Sequence, residues 1–113
     1  MASTILKNID PAAPLSLGAL VTCQPGQIVS RTLAQNRAVS LTLFAFDKNE
    51  EISSHASKGD AMVQILDGTA KITIGESEYR LSAGETIVMP AGVPHALEAA
   101  EPFKMLLTVV FPG

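Results

Sequence analysis

Turn signals recur along this chain at nearly constant intervals, and that rhythm narrows the available folds more than any other feature. Pro25-Gly26, Asp47-Lys48-Asn49, Lys58-Gly59-Asp60, Asp67-Gly68, Gly75-Glu76, Ala83-Gly84 and Pro90-Ala91-Gly92 separate short, apolar-rich segments. Segments at this spacing, each bounded by Gly, Pro, Asn or Asp, read as strands of an all-β sandwich or barrel. The pattern predicts strands at 17–23, 27–34, 38–46, 51–56, 61–67, 69–75, 78–82, 86–89, 95–99 and 103–111. No stretch of helical length carries a 3.6-residue apolar period, and no segment repeats another. Residues 1–14 read as an irregular lead-in broken by Asp10-Pro11 and Pro14, with at most one helical turn over Ala2 to Asn8.

Side-chain alternation assigns faces to these strands. Ala70, Ile72 and Ile74 point one way, and Thr69, Lys71 and Thr73 the other. Two strands are apolar on both faces. Strand 38–46 carries Val39, Leu41, Leu43 and Ala45 against Ser40, Thr42, Phe44 and Phe46. Strand 103–111 opposes Phe103, Met105, Leu107, Val109 and Phe111 to Lys104, Leu106, Thr108 and Val110. A second buried surface is implied, and a sheet-to-sheet homodimer contact would supply it.

Composition bounds the partners. With 113 residues, 47% hydrophobic and 17% charged, the chain is expected to be one globular domain spanning 1–113. One Tyr, four Phe and no Trp leave the core to aliphatic side chains. A net charge of −3, with scattered Lys and Arg, argues against nucleic acid, whose phosphates need a clustered basic face. Cys23 is the only cysteine, so no intramolecular disulfide can form, and the reducing cytoplasm is the expected compartment. The start Met1-Ala-Ser-Thr-Ile-Leu-Lys7 has no apolar stretch of signal-peptide length, and Met105 to Phe111 is too short to span a bilayer. No membrane association is expected.

The stretch Gly84-Glu-Thr-Ile-Val-Met-Pro90-Ala-Gly92-Val-Pro-His95 has the spacing G-x5-P-x-G-x2-H. Pro90 and Gly92 set a tight turn, one by fixing φ and the other by permitting φ > 0, so that His95 opens the next strand. This stretch resembles the second motif of the cupins, G-x5-P-x-G-x2-H-x3-N. The cupins' first motif, G-x5-H-x-H-x3-4-E-x6-G, is met by His55 and Gly68. Asn49 stands at its opening glycine, Ser57 at its second histidine and Ala61 at its glutamate, and Ala99 replaces the asparagine of the second motif. The resemblance, to small single-domain RmlC-like cupins, covers residues 38–111. It implies a double-stranded β-helix, the jelly-roll barrel, with a site inside it and commonly a homodimer.

Under that resemblance His55 and His95, the only two histidines, approach one another within the barrel. A catalytic zinc takes three protein ligands, and a non-haem iron site two histidines and a carboxylate. No charged third ligand is aligned, so weak binding of a divalent Mn, Fe, Ni or Zn by His55 and His95 is the most expected. Ser57 shares the parity of His55. Gln64, on the neighbouring strand, offers an amide oxygen but has the wrong parity, Glu98 points away from His95, and Asp60 needs a bulge to turn inward. Arg31 and Arg37 read as solvated, Tyr79 as packed, and Cys23 as a small core residue.

The expected function is binding of a small polar or acidic metabolite inside the barrel, by His55, Ser57, Gln64 and His95. The imidazoles could serve there as general acid and base or orient the ligand. A metal-dependent, dioxygenase-like enzyme and a non-catalytic dimeric module are the alternatives. The cupin barrel carries oxygenases, isomerases, lyases, sugar-binding modules and storage proteins, so fold alone does not choose.

Overall fold

Nine antiparallel strands form two sheets in the computed structural model, which describes residues 5–113. The strands are β1 Ile28–Gln35, β2 Val39–Phe46, β3 Glu51–His55, β4 Asp60–Asp67, β5 Thr69–Ile74, β6 Ser77–Ser82, β7 Thr86–Met89, β8 His95–Glu98 and β9 Phe103–Val110. One sheet runs β1-β2-β9-β4-β7 and the other β3-β8-β5-β6. The crossovers between sheets give the double-stranded β-helix that the motifs imply. Each expected strand from residue 27 onward has a counterpart, with ends shifted by a residue or so.

Strand 17–23 does not form. Leu17–Leu20 is a 3₁₀ turn, and the chain from Val21 to Gln24 runs without ladder partners. Val21 is buried and Leu17, Leu20 and Cys23 are half-buried, but they pack from a strap, not from a strand. The helical turn expected over Ala2 to Asn8 lies partly outside the described residues, and residues 5–8 are bends and irregular chain.

The strap explains the strands that are apolar on both sides. Inward, Phe44, Phe46, Phe103 and Met105 join the core between the sheets. Outward, Leu43 and Ala45, fully buried, pack with Leu33 and Val21, and Leu17, Leu20, Cys23, Leu41, Leu66 and Leu106 complete that second cluster. Two cations hold the strap down: Arg31 Nη1 donates to the Leu20 carbonyl and Lys104 Nζ to the Gly18 carbonyl, each at 2.7 Å. Arg31 is therefore a fastener and not a solvated surface charge. The chain itself covers much of the face for which a dimer contact was expected. Tyr79, expected to pack, is 43% exposed on β6.

Gly68 shows why the closing glycine of the first motif is fixed. Its φ is +74°, and a Cβ there would run into the Pro102 carbonyl and Phe103. Close approach of the β4–β5 turn to the start of β9 leaves no room for a side chain. Phe103 then lies flat against Phe46, its partner across the β2–β9 ladder, with ring centroids 4.5 Å apart.

Candidate functional site

β3 and β8 are neighbours in the smaller sheet, and their register pairs His55 directly with His95. The rings meet edge to face with centroids 4.4 Å apart and planes at 72°. The tight turn before β8 sets this pairing. Gly92 has φ +78°, and its N–H donates to the Ser57 carbonyl at 2.9 Å. The Asp60 carboxylate accepts from the Ala91 N–H at 2.8 Å. Two bonds thus fasten the 90–92 turn of the second motif to the 57–60 segment of the first. Asp60 does this from outside the barrel, so it does not turn inward to meet the histidines.

The two imidazoles differ in setting. His55 is exposed, and its Nδ1 sits 3.0 Å from the Ser53 carbonyl, an acceptor only, so Nδ1 carries the proton. His95 is 3% exposed, and its Nδ1 is buried without a hydrogen-bond partner. Burial, and secondarily the neighbouring His55, push the His95 pKa below its ordinary value. The Val93 carbonyl pulls weakly the other way but does not reach bonding geometry with Nδ1. At neutral pH His95 is an uncharged imidazole.

Both rings line a cavity of about 270 Å³ between the sheets, with Ile52, Ala56, Ser57, Ala61, Met89, Leu97, Met105, Leu107 and Val109. The lining is apolar except at one end. There the Ser57 Oγ accepts from the Gly59 N–H at 3.1 Å, which leaves its own hydroxyl hydrogen without an acceptor among the described residues.

Gln64 is not part of this lining. It falls on the face of β4 opposite Ala61, Val63 and Ile65, where period-two alternation sends it outward. Glu98 also faces out and pairs with Lys71 at 3.4 Å. Ala61, which the first motif puts at its glutamate position, and Met89, which sequence reasoning did not propose, are on the cavity wall. The signal for Met89 was pairing, since it is the ladder partner of Ala61.

The departures from the cupin motifs have local reasons. Asn49 adopts φ +71°, the left-handed conformation that a glycine would take, and Asn tolerates this region better than most residues. Its N–H donates to the Ala99 carbonyl at 2.7 Å, and the Ala99 N–H returns a bond to the Glu50 carbonyl at 3.0 Å. Ala99 is fully buried. Positions 49 and 99 therefore form one backbone clasp, made here by Asn49 and Ala99 without the motifs' glycine and asparagine.

The donor set does not suit a tightly held metal. Two imidazoles share the cavity, Ser57 is neutral and Ala61 has no ligand atom. No group of three or more His, Cys, Asp or Glu side chains occurs among the described residues. A zinc or iron centre needs at least one more ligand of that kind.

A cupin domain family model matches residues 42–111. No curated protein matches the chain. A conserved protein of unknown function from Streptococcus pyogenes is similar over 100% of this chain and 99% of its own, with 50% identity and a TM-score of 0.97. A cupin superfamily protein from Desulfitobacterium hafniense is 33% identical over 95% of this chain and 98% of its own, with a TM-score of 0.90. A cupin 2 conserved barrel domain protein from Leptotrichia buccalis is 38% identical over 85% of this chain but 47% of its own, with a TM-score of 0.83. The family match covers more than half of the chain, its motif residues hold the turns and strands described above, and the chain belongs to the cupins.

Proposed function

We propose that this cupin binds a small organic molecule in the cavity between its sheets, with His55, Ser57 and His95 as the polar contacts. One observation carries the reading. Two imidazoles, the buried His95 and the exposed His55, meet at 4.4 Å on the wall of an otherwise apolar cavity, and the Ser57 hydroxyl beside them has no acceptor for its proton among the described residues. A polar contact set at one end of an apolar cavity is the arrangement by which small-molecule sites orient a ligand. The cavity size suits a small ligand, near the lower end of the range for such sites. The metal-dependent enzyme is the weaker reading, because no third ligand faces the histidines.

The test is a thermal-shift screen of small metabolites on the native protein and on Ala61→Leu, which fills the cavity from the β4 wall. A true ligand raises the melting temperature of the native protein by mass action and leaves the filled variant unmoved. A screen with no such compound removes the proposal. Purified protein that carries a stoichiometric metal would favour the enzyme reading instead.

Self-association is proposed on narrower grounds than the strand pattern suggested. The strap leaves Val88 and Val110 as the large apolar side chains still exposed on the five-stranded sheet. Light scattering at micromolar concentration decides it, and a monomer would remove the dimer.

A further inference from the structure

The cavity's own groups restrict what kind of molecule fits, which deepens the binding reading and rests on it. Seven of its apolar wall residues come from five strands, so most of any occupant meets hydrocarbon. The polar end is short of charge. No Lys, Arg, Asp or Glu lines the cavity. The charged side chains on the surrounding strands are committed or turned out. Asp60 bonds Ala91 N–H, Glu98 and Glu78 pair with Lys71, and Lys104 reaches the Gly18 carbonyl. Glu51 on β3 is exposed, and among the described residues it has no ion pair.

The available hydrogen-bonding groups are unequal in kind. The Ser57 hydroxyl accepts from Gly59 N–H and has no acceptor for its proton among the described residues, so that proton is the donor left to pair. Neither Nδ1 faces an occupant: that of His55 is held on the Ser53 carbonyl and that of His95 is enclosed. Enclosing an ion among hydrocarbon with no counter-charge is far more costly than enclosing a neutral carbonyl whose oxygen is met by a donor. A polyol or sugar acid would bring several hydroxyls that the Met, Leu, Val and Ile walls cannot satisfy.

We propose that the cavity takes an uncharged, largely apolar molecule bearing one carbonyl-type acceptor, its oxygen on the Ser57 hydroxyl and its hydrocarbon against Met89, Met105 and Leu107. This narrows the expectation of a polar or acidic metabolite to its neutral, acceptor-bearing side. The class includes small ketones, esters and lactones.

The experiment is an NMR titration of the native protein with four probes: acetophenone, its ionised near-isostere benzoate, ethylbenzene, which lacks the acceptor, and gluconate. The readouts are the methyl signals of Met89, Met105 and Leu107 and the His95 imidazole. Acetophenone should bind at least tenfold more tightly than benzoate or gluconate and several-fold more tightly than ethylbenzene. Ser57→Ala should erase the advantage over ethylbenzene while the cavity methyls still shift, which separates a lost contact from a lost fold. Benzoate or gluconate binding as well as acetophenone at these methyls would overturn the neutral-ligand inference and leave small-molecule binding standing. Equal binding of ethylbenzene would overturn the acceptor contact. If no probe shifts the cavity methyls while a screened metabolite stabilises native protein but not Ala61→Leu, this inference falls and the binding reading survives. Failure of both falls on the binding reading itself.

Discussion

At the Phe103 end of the barrel interior, Phe46 and Phe103 stack at 4.5 Å, and Ile65, Ala70 and Leu81 close around them with 5% exposure or less. At the other end of the same β9 strand, Met105, Leu107 and Val109 face a cavity, and His95 keeps an unpaired nitrogen. The same sheets build both ends, so the difference does not come from topology. It comes from which side chains stand at matching positions. Phe faces Phe across the ladder at the closed end, whereas Ala61 and Ser57 leave the open end unfilled. A protein interior normally packs to crystal density. Packing is given up here beside the only two histidines, where an open site would be of use.

Truncation should separate the ends most sharply. Phe103→Ala removes a ring from a closed, stacked pair and should cost about 3–5 kcal/mol. Leu107→Ala, half-buried beside an existing cavity, should cost roughly 1–2 kcal/mol, less than a fully buried Leu→Ala. Urea unfolding of both variants checks the order. Equal losses would mean that the open end is packed as tightly as the closed one.

The second prediction concerns the open end alone. Ser57 and Ala61 stand where metal-binding cupins have a histidine and a glutamate, and both line the cavity. Ser57→His with Ala61→Glu should supply the missing imidazole and charge and retain close to one equivalent of Mn, Fe, Ni or Zn after dialysis. The native protein should lose its metal. The added volume alone can cost about 1–3 kcal/mol, so folding is measured first. Metal analysis showing a tightly held ion in the native protein would break the comparison.

How far these features could be read from the sequence depended on the range of the interaction. Turn chemistry is local, so Gly68, Pro90 and Gly92 announced their turns, and eight-residue rhythm announced the strands around them. Parity was also legible: it placed His55 and Ser57 on one side, and it warned against Gln64 and Glu98. Leu17–Leu20 was not legible as a 3₁₀ turn, because an apolar segment packs equally well from a strand or a strap. The decision was made by Arg31 and Lys104, whose bonds to Leu20 and Gly18 join residues 11 and 86 positions apart. The second apolar face of β2 and β9 was read correctly as buried, but its cover came from within the chain. Asp60's bond to Ala91, 31 positions away, was equally out of reach of spacing arguments.

The smallest expected effect is on pH dependence. The folded His95 pKa lies below the ordinary value of 6.5, chiefly through burial. As pH falls below about 6.5, the unfolded chain takes up a proton that the folded chain resists, so stability falls with pH until the folded imidazole also protonates. Above that window the contribution is constant. His95→Gln should flatten this slope in urea melts at about pH 7.5 and 5.5, relative to native protein. An unchanged slope would assign the acid sensitivity to other groups.

The most direct measurement is difference density from crystals grown with the compound that most raises the melting temperature. The predicted result is a molecule between the sheets at the open end, touching His55, Ser57 and His95, with the Phe46–Phe103 stack undisturbed. Density seated instead in the outer groove of Arg37, Lys58 and Phe111, with the cavity holding water alone, would contradict it.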